Sequence, residues 1–293
     1  MIMEERLKRF ARLIDAGSFT AAAKLLHTSQ PALSTAVQKL ERELKGELIQ
    51  RGSRSMMLSP LGKLAYEQGR QLLVLEQNFL HDARNLLGRP QPLRLGCIDS
   101  IAELVTRSGG LDTLEAAFEL SFVVQSSHVL LGQLRRGELD AVIVVDQPTM
   151  PNAVDSYNLG NEHFALVTAS HSAEKIRLAQ ESQLPVPLLA YNKSSTTYAI
   201  LSRQLIHSGL VFEPRFFSSH PSILMELAQQ GKGIAALPTS LIKDSRRDTS
   251  TLAELELTRP LKRPITALWP RGRTLPPALS DFLLTLQRLI TDS

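Results

Sequence analysis

Ser29-Gln30-Pro31-Ala32-Leu33-Ser34-Thr35-Ala36-Val37-Gln38-Lys39-Leu40-Glu41-Arg42-Glu43-Leu44-Lys45 is the stretch on which the reading of this chain turns. Ser29 suits an N-cap, and Pro31 suits the first helical turn, where its missing N–H costs nothing. The spacing predicts a helix over Gln30–Lys45. On a wheel with Ser34 at zero, Leu33, Val37, Leu40 and Leu44 fall between about 240° and 300°. Pro31, Ser34, Thr35, Gln38, Lys39 and Arg42 fall between about 0° and 140°. One face is aliphatic, and the opposite face, the proline apart, carries only hydrogen-bonding or cationic groups. A DNA major groove admits such a helix, and Gln, Ser, Thr, Lys and Arg reach base edges and phosphates there. The bland alternative is a solvated helix face.

Upstream, Leu7, Phe10, Leu13 and Ile14 share one face of a first helix that Gly17 stops. Ser18 can cap a second helix from about Phe19 to His27, whose Ala22, Ala23 and Leu26 offer a small-residue face for a close crossing. Thr28-Ser29-Gln30 is then a tight turn. Helix, short turn, helix, with a polar outer face on the last, is a DNA-reading pattern. Downstream, Leu48-Ile49-Gln50 and Met56-Met57-Leu58 are short strand-like runs around Arg51-Gly52-Ser53-Arg54-Ser55. A loop tip with two cations beside a reading helix serves as a wing on phosphates or in the minor groove, unless it is merely a solvated loop. From Ser59 or Pro60 a long helix should run to about Leu87. Its seam is Leu61, Ala65, Gln68, Leu72, Leu75, Phe79, Asp82 and Leu86. Such a helix, about 42 Å long, needs a surface to bury against. Pairing with a second copy or packing on the chain's own later domain would each supply one.

The charge is uneven. The 293 residues carry 33 Lys and Arg against 29 Asp and Glu, yet residues 1–90 hold a net of +5 and residues 91–293 a net of −1. A basic segment hints at a polyanionic partner, or at chance. The single cysteine, Cys97, excludes an internal disulfide framework and intramolecular disulfide sensing. A buried apolar cysteine is the reading preferred over a redox role. The longest run free of Asp, Glu, Lys and Arg, Leu120–Leu134, is too short and too polar for a membrane span. MIMEERLKRF lacks an apolar signal core, so a cytoplasmic protein without membrane partners is expected. No metal-ligand spacing, nucleophile elbow, phosphate loop or dinucleotide glycine motif is visible. Gly231-Lys232-Gly233 precedes a strand and reads as a helix C-cap. No catalytic residue, metal site or cofactor is expected.

Gly88-Arg89-Pro90-Gln91-Pro92 breaks the helical pattern. Beyond it, the apolar runs Leu93–Ile98, Leu120–Val124, Ala141–Val145, Phe164–Val167, Leu188–Tyr191, Ile234–Leu237 and Thr266–Trp269 alternate with helical patterns. That rhythm predicts an α/β domain with a mostly parallel sheet. Ligands of such sheets sit beyond the carboxyl ends of strands, near helix N-termini. Three strand-to-helix junctions qualify: Asp99-Ser100, Gln125-Ser126-Ser127-His128, and Asn192-Lys193-Ser194-Ser195-Thr196-Thr197. Ser100, Ser127, His128, Thr196 and Thr197 are therefore candidate ligand residues. Helix capping is the competing role for the hydroxyls. Asp99 beside the site would disfavour an anionic ligand or pair with a cationic one.

The chain resembles the LysR-type transcriptional regulators. The residues that carry the likeness are Gly17-Ser18-Phe19-Thr20, Ala22-Ala23, Leu26-His27, Ser29-Gln30-Pro31-Ala32-Leu33-Ser34, Val37, Leu40-Glu41, Leu44, Leu48, Arg51, Leu58-Ser59 and Gly62. Less specific matches follow at Leu93-Arg94-Leu95-Gly96, Leu134–Asp140 and Gly231–Pro238. The resemblance implies an N-terminal all-α winged helix-turn-helix (1–59), a linker dimerisation helix (60–88) and a C-terminal α/β effector domain (89–293). That domain would have two periplasmic-binding-protein-like subdomains, 91–163 with 265–293, and 164–264. It implies a promoter-binding oligomer, often a dimer of dimers, that reads pseudo-palindromic duplex DNA, meets RNA polymerase and answers a small-molecule effector.

Carried over by position, Gln30, Pro31, Ser34 and Lys39 would contact DNA, with Thr35 and Gln38 on the same face and Arg51 and Arg54 in the wing. Ser100 and Ser127 would contact effector. Thr35 stands where the family commonly has arginine, which removes a bidentate donor for guanine. Lys45-Gly46 shifts the usual glycine by one position, so the third helix is expected to end a residue late. The competing class is a small-molecule-binding protein or enzyme whose N-terminal helices only oligomerise; it would place apolar residues on the outer face of the third helix.

Overall fold

A computed structural model of the chain describes residues 3–50, 56–86, 91–146, 154–244 and 246–291. The chain divides into two compact units: Met1–Gln91 with Arg135–Glu138 and Pro270–Thr274, and Pro92–Leu134 with Leu139–Trp269 and Leu275–Ser293.

The first unit is built on four helices: α1 (Met3–Ala16), α2 (Phe19–Leu25), α3 (Gln30–Leu44) and α4 (Pro60–Leu86). Gly17, at a φ of 72°, ends α1. The Ser18 and Ser29 hydroxyls then cap α2 and α3 by accepting from the backbone N–H groups of Ala21 (3.1 Å) and Ala32 (3.3 Å). α2 stops at Leu25, short of His27, because His27 itself adopts a left-handed φ of 47° in the turn. Phe10, Leu13, Ala22, Ala23, Leu33, Val37, Leu40 and Leu48 form one buried cluster, so the aliphatic face of α3 is the packed face. α3 ends at Leu44, not at Lys45. Lys45 takes the left-handed C-cap conformation (φ 53°) that glycine usually fills, and the Gly46 N–H donates to the Glu41 carbonyl at 3.0 Å. The displaced glycine therefore does not lengthen the helix. Beyond it, Ile49 and Leu58 form an antiparallel bridge, with Gln50 N–H donating to the Met57 carbonyl at 2.8 Å. Arg51 and Arg54 lie outside the described residues.

The expected seam of α4 divides. Its N-terminal part packs within the chain: Ala65 is buried in the first unit's core and Leu61 lies against it. A Cβ on Gly69 would stand 2.3 Å from the Leu7 carbonyl oxygen of α1. Farther along, Leu75 and Phe79 are 66% and 70% exposed. The side chains of Asp82 and Leu86 are outside the described set. The helix thus finds an unanticipated partner in α1, and its later turns keep an uncovered apolar stripe.

The second unit runs β1 (Gln91–Cys97), α5 (Asp99–Arg107), α6 (Gly110–Ala117), β2 (Phe118–Val124), α7 (Ser127–Arg135), β3 (Ala141–Val145), β4 (Val154–Ala169), α8 (Ala173–Glu181), β5 (Val186–Tyr191), α9 (Thr196–His207), β6 (Phe212–Ser218), α10 (Pro221–Gln229), β7 (Ile234–Pro238), α11 (Thr239–Ile242), β8 (Leu252–Leu255), β9 (Leu261–Pro270) and α12 (Pro277–Thr291). The strands form one sheet in the order β2-β1-β3-β9-β4-β7-β5-β6, with β8 on β4. β1 with β3, and β5 with β6 and β7, are parallel; β3 with β9, and β4 with β7 and β8, are antiparallel. The sheet is therefore mixed, not mostly parallel, because the long strand β4 runs against β7 and β8 and the long strand β9 against β3. β4 extends well beyond the expected Phe164–Val167. β6 and β8 were not anticipated: β6 is a largely exposed edge strand whose register against β5 shifts between Pro214 and Phe216, and β8 has only four residues.

Two apolar clusters fill this unit. One gathers residues between Leu93 and Leu159 with Ile265–Ile290, and the other residues between Phe164 and Leu261. β3 is buried at all five positions, as a strand covered on both faces should be. β4 and β9 each begin in one cluster's territory and end in the other's, so residues 160–164 and 261–265 lie at the passage between them. Among the described residues, no helix is long and apolar enough to cross a membrane.

Candidate nucleic-acid interface and candidate ligand site

In the first unit, packing Leu33, Val37 and Leu40 inward turns the opposite face of α3 outward. Gln30, Pro31, Thr35, Gln38, Lys39 and Arg42 are exposed, and Ser34 is half-buried. The Gln30 side-chain oxygen accepts from the Thr20 hydroxyl at 3.3 Å, which steadies that amide against α2. The Thr35 hydroxyl donates to the Pro31 carbonyl at 2.9 Å, so on this exposed face it offers acceptor lone pairs and a methyl group. The acidic residues of α3 are engaged elsewhere: Glu41 accepts the Leu48 N–H at 2.9 Å, and Glu43 is paired with Arg6. The exposed face is left with Lys39 and Arg42 as its charges. Such a face can offer amide, hydroxyl and cationic groups to base edges and phosphates.

Behind this face, Asp15 accepts from the Tyr66 hydroxyl (2.6 Å) and from Arg70 (2.8 Å), joining α1 to α4. Burial raises the Asp15 carboxyl above its ordinary range, and Arg70 and Tyr66 oppose the rise only in part.

In the second unit, the five candidate ligand residues fare differently. Ser100, at the second position of α5, and Thr197, at the second position of α9, are both buried, and both hydroxyls accept from Arg263. The Ser100 bond, from Arg263 Nη2, is 2.6 Å long. Neither residue is the cap of its helix: Ser195 caps α9 through the Tyr198 N–H, and α5 has no side-chain cap. Ser127 is buried at the start of α7, and its hydroxyl accepts the Val145 N–H of β3 at 3.2 Å. His128 is exposed and no hydrogen bond joins it to the Arg263 group; Thr196 is half-buried beside Thr197. Arg263 brings together Ser100 and Thr197; Ser127 and His128 are not among its hydrogen-bond partners.

The centre of the cluster was missed by sequence reading. Arg263, near the start of β9, and Glu162, in the middle of β4, lie on neighbouring strands at the passage between the two apolar clusters. Arg263 is 4% exposed and Glu162 5%. Nε and Nη2 of Arg263 both reach the same carboxylate oxygen, Glu162 Oε2, at 2.6 Å. The other oxygen, Oε1, has no hydrogen-bond partner among the described residues, and neither has the buried Tyr191 hydroxyl. The guanidinium lies 5.0 Å from the Phe164 ring centroid and 5.9 Å from that of Tyr191. These rings, 6.3 Å apart and edge-to-face, wall it in. Burial pushes the Tyr191 phenol well above its ordinary value; Arg263 opposes this, and Glu162 adds to it. Asp99, the first residue of α5, faces His220 Nδ1 of the α10 N-cap at 2.5 Å. Cys97 is fully buried, and burial first, then Glu162, drives its thiol pKa far upward. Its proton is held, as the buried apolar reading requires.

The signal that could have found this centre is slight: a charge in each of two otherwise apolar strands, at Leu261-Lys262-Arg263-Pro264-Ile265 and at Gly160-Asn161-Glu162-His163-Phe164. Among the described residues, no group of three or more His, Cys, Asp or Glu could hold a metal ion.

Residues 5–63 match the family described as bacterial regulatory helix-turn-helix protein, lysR family, and residues 88–290 match the LysR substrate binding domain. A relative from Escherichia coli (strain K12), HTH-type transcriptional activator AaeR, is 27% identical across 98% of this chain and 97% of its own length. Among solved structures, a full-length OxyR from Pseudomonas aeruginosa shares the fold, with a TM-score of 0.65 and 21% identity over 99% of this chain and 94% of that one. So does Vibrio fischeri DarR in complex with DNA, with a TM-score of 0.54 and 23% identity over 98% of this chain and 99% of that one. The two matches account for both ends of the molecule, and the chain belongs to the LysR family of transcriptional regulators.

Proposed function

We propose that the chain binds promoter DNA as an oligomer and changes how it does so when a small molecule enters the α/β unit. The observation that carries the DNA half is the two-faced character of α3: Leu33, Val37 and Leu40 buried, Gln30, Gln38, Lys39 and Arg42 exposed. In this reading Gln30, Pro31, Ser34, Thr35 and Gln38 meet base edges in the major groove, and Lys39 meets phosphate. Arg51 and Arg54 act from the wing. The uncovered stripe of α4 around Leu75 and Phe79 pairs with a second copy, which sets two reading helices on one pseudo-palindromic site. The DNA complex of DarR supports this use of the fold.

The chain works as 1–59, 60–88 and 89–293, the last hinged between 91–163 with 265–293 and 164–264. The hinge carries Glu162 and Arg263 and faces Ser100 and Thr197 across it. An effector bound there and favouring one arrangement of the subdomains would shift the population, and with it the spacing of the readers, the DNA bend and the contact with RNA polymerase. The protein acts by binding and not by catalysis, in the cytoplasm, as a dimer or a dimer of dimers. Genome-wide mapping of bound DNA tests this. A recurrent pseudo-palindromic motif at promoters is expected. Failure of the purified full chain to retain any duplex DNA at low salt would overturn it.

A further inference from the structure

We propose that the ligand of the Arg263–Glu162 site is a small zwitterion, a carboxylate and an ammonium close together as in an α-amino acid. This rests on the reading of that cluster as the effector site and names the chemistry it takes.

Charge balance makes the first argument. The buried centre holds one guanidinium and one carboxylate, each over nine-tenths buried. A simple anion entering there would meet Arg263 but also Glu162; a simple cation would meet Glu162 but also Arg263. Either would leave one uncompensated charge in a low-dielectric place, which is strongly disfavoured. A molecule carrying both charges leaves the balance unchanged.

Unspent hydrogen-bonding capacity makes the second. Both Arg263 donors converge on Glu162 Oε2, so Oε1 remains as a buried acceptor with no partner among the described residues. It suits an ammonium. The Ser100 and Thr197 hydroxyls accept from Arg263, so each keeps a proton to donate, and the Tyr191 hydroxyl has no partner. These three donors suit a carboxylate. The two ends are also ordered. Ser100 and Thr197 stand in the first turns of α5 and α9, whose N-terminal poles favour negative charge, and α5 has no side-chain cap to occupy its first N–H groups. The carboxylate therefore lies toward the helix ends and the ammonium toward Glu162.

The test uses the full-length protein, with binding followed by calorimetry and thermal shift at up to about 10 mM ligand. The probes are the proteinogenic α-amino acids, and for each its N-acetyl derivative, the carboxylic acid lacking the amino group and the amine lacking the carboxylate. At least one free amino acid should bind, with its three derivatives at least about tenfold weaker. Glu162→Gln should shrink the gap between that amino acid and its des-amino acid to within about threefold, and Ser100→Ala should weaken both. The wild-type comparison stands alone if a variant does not fold. The proposal fails if a carboxylate or an amine binds as tightly as the free amino acid. It fails equally if no amino acid binds, in which case Glu162 Oε1 and Tyr191 hold a structural water only. Ser100-dependent binding of a plain carboxylate or amine would sink the zwitterion yet leave the effector site in place, whereas loss of DNA retention sinks the regulator reading whatever binds.

Discussion

Arg263→Met tests the central claim about the α/β unit, that a buried ion pair joins its two crossing strands. The substitution keeps an unbranched side chain but removes the guanidinium. Glu162 is then left buried without its cation, and breaking such a pair costs about 3–5 kcal/mol. Ser100 and Thr197 lose their donor as well, though their hydroxyls can rotate to other acceptors, which limits their share to about 1 kcal/mol each. The expected loss is about 3–5 kcal/mol, or roughly 6–20 °C in melting temperature for a domain of this size. Removing the charge on both sides, in Glu162→Leu with Arg263→Met, deletes the desolvation burden of both ions and should recover at least about 2 kcal/mol of that loss. Trp269, the single tryptophan, lies on β9 with Arg263 and packs against the first apolar cluster of this unit, so its fluorescence reports this unit in a urea titration of the full chain. Midpoints are comparable only while the slope stays constant. A single-variant loss below about 1 kcal/mol, or a double variant no more stable than the single, would refute the buried-pair account.

Three further outcomes follow from other parts of the molecule. Gly69→Ala would press a methyl against the Leu7 carbonyl, 2.3 Å away, and should destabilise the helical unit by about 1–3 kcal/mol in thermal unfolding; unchanged melting would mean that α1 and α4 cross less closely. Asp244 is held down to about 2, first by the Arg246 side chain, then by the Arg246 backbone N–H and Arg107. Its folded value lies below its ordinary 3.8, so its contribution is complete above that value and fades as pH falls toward 2. The melting gap between wild type and Asp244→Asn should therefore narrow over that interval, and a pH-independent gap would contradict the assignment. On α3, Lys39→Ala should weaken binding to all duplexes alike and lower the salt slope by about 1, while Gln30→Ala should relax preference at one base pair; quantitative binding across operator variants and salt separates the two.

Much of the helical unit was legible residue by residue. Ser18 and Ser29 cap as read, Gly17 stops α1, and the aliphatic and polar faces of α3 fall as its wheel predicts. These features depend on neighbours within four residues, where periodicity and capping act. The end of α3 was misjudged because Lys45 accepts a left-handed conformation that composition assigns to glycine. The uncovered stripe of α4 proved shorter than its heptad-like spacing suggested, since the first turns pack on α1, and no one-dimensional pattern names the surface a seam will meet.

The α/β alternation followed from short apolar runs, and β3 was read to the residue. The mixed directions of the strands, the edge strand β6 and the full length of β4 were not, because pairing decides them. The ligand site marks the division most sharply. Ser100 and Thr197 were reachable from the local rule that hydroxyls gather at helix starts, and that rule equally nominated Ser127, whose hydroxyl meets the Val145 N–H and not Arg263. Arg263 and Glu162 look like ordinary solvated charges in the linear chain. Their burial exists only once residues 100, 162, 197 and 263 are drawn to one point by long-range strand order, since desolvation of a charge depends on everything around it in space and on almost nothing beside it in sequence.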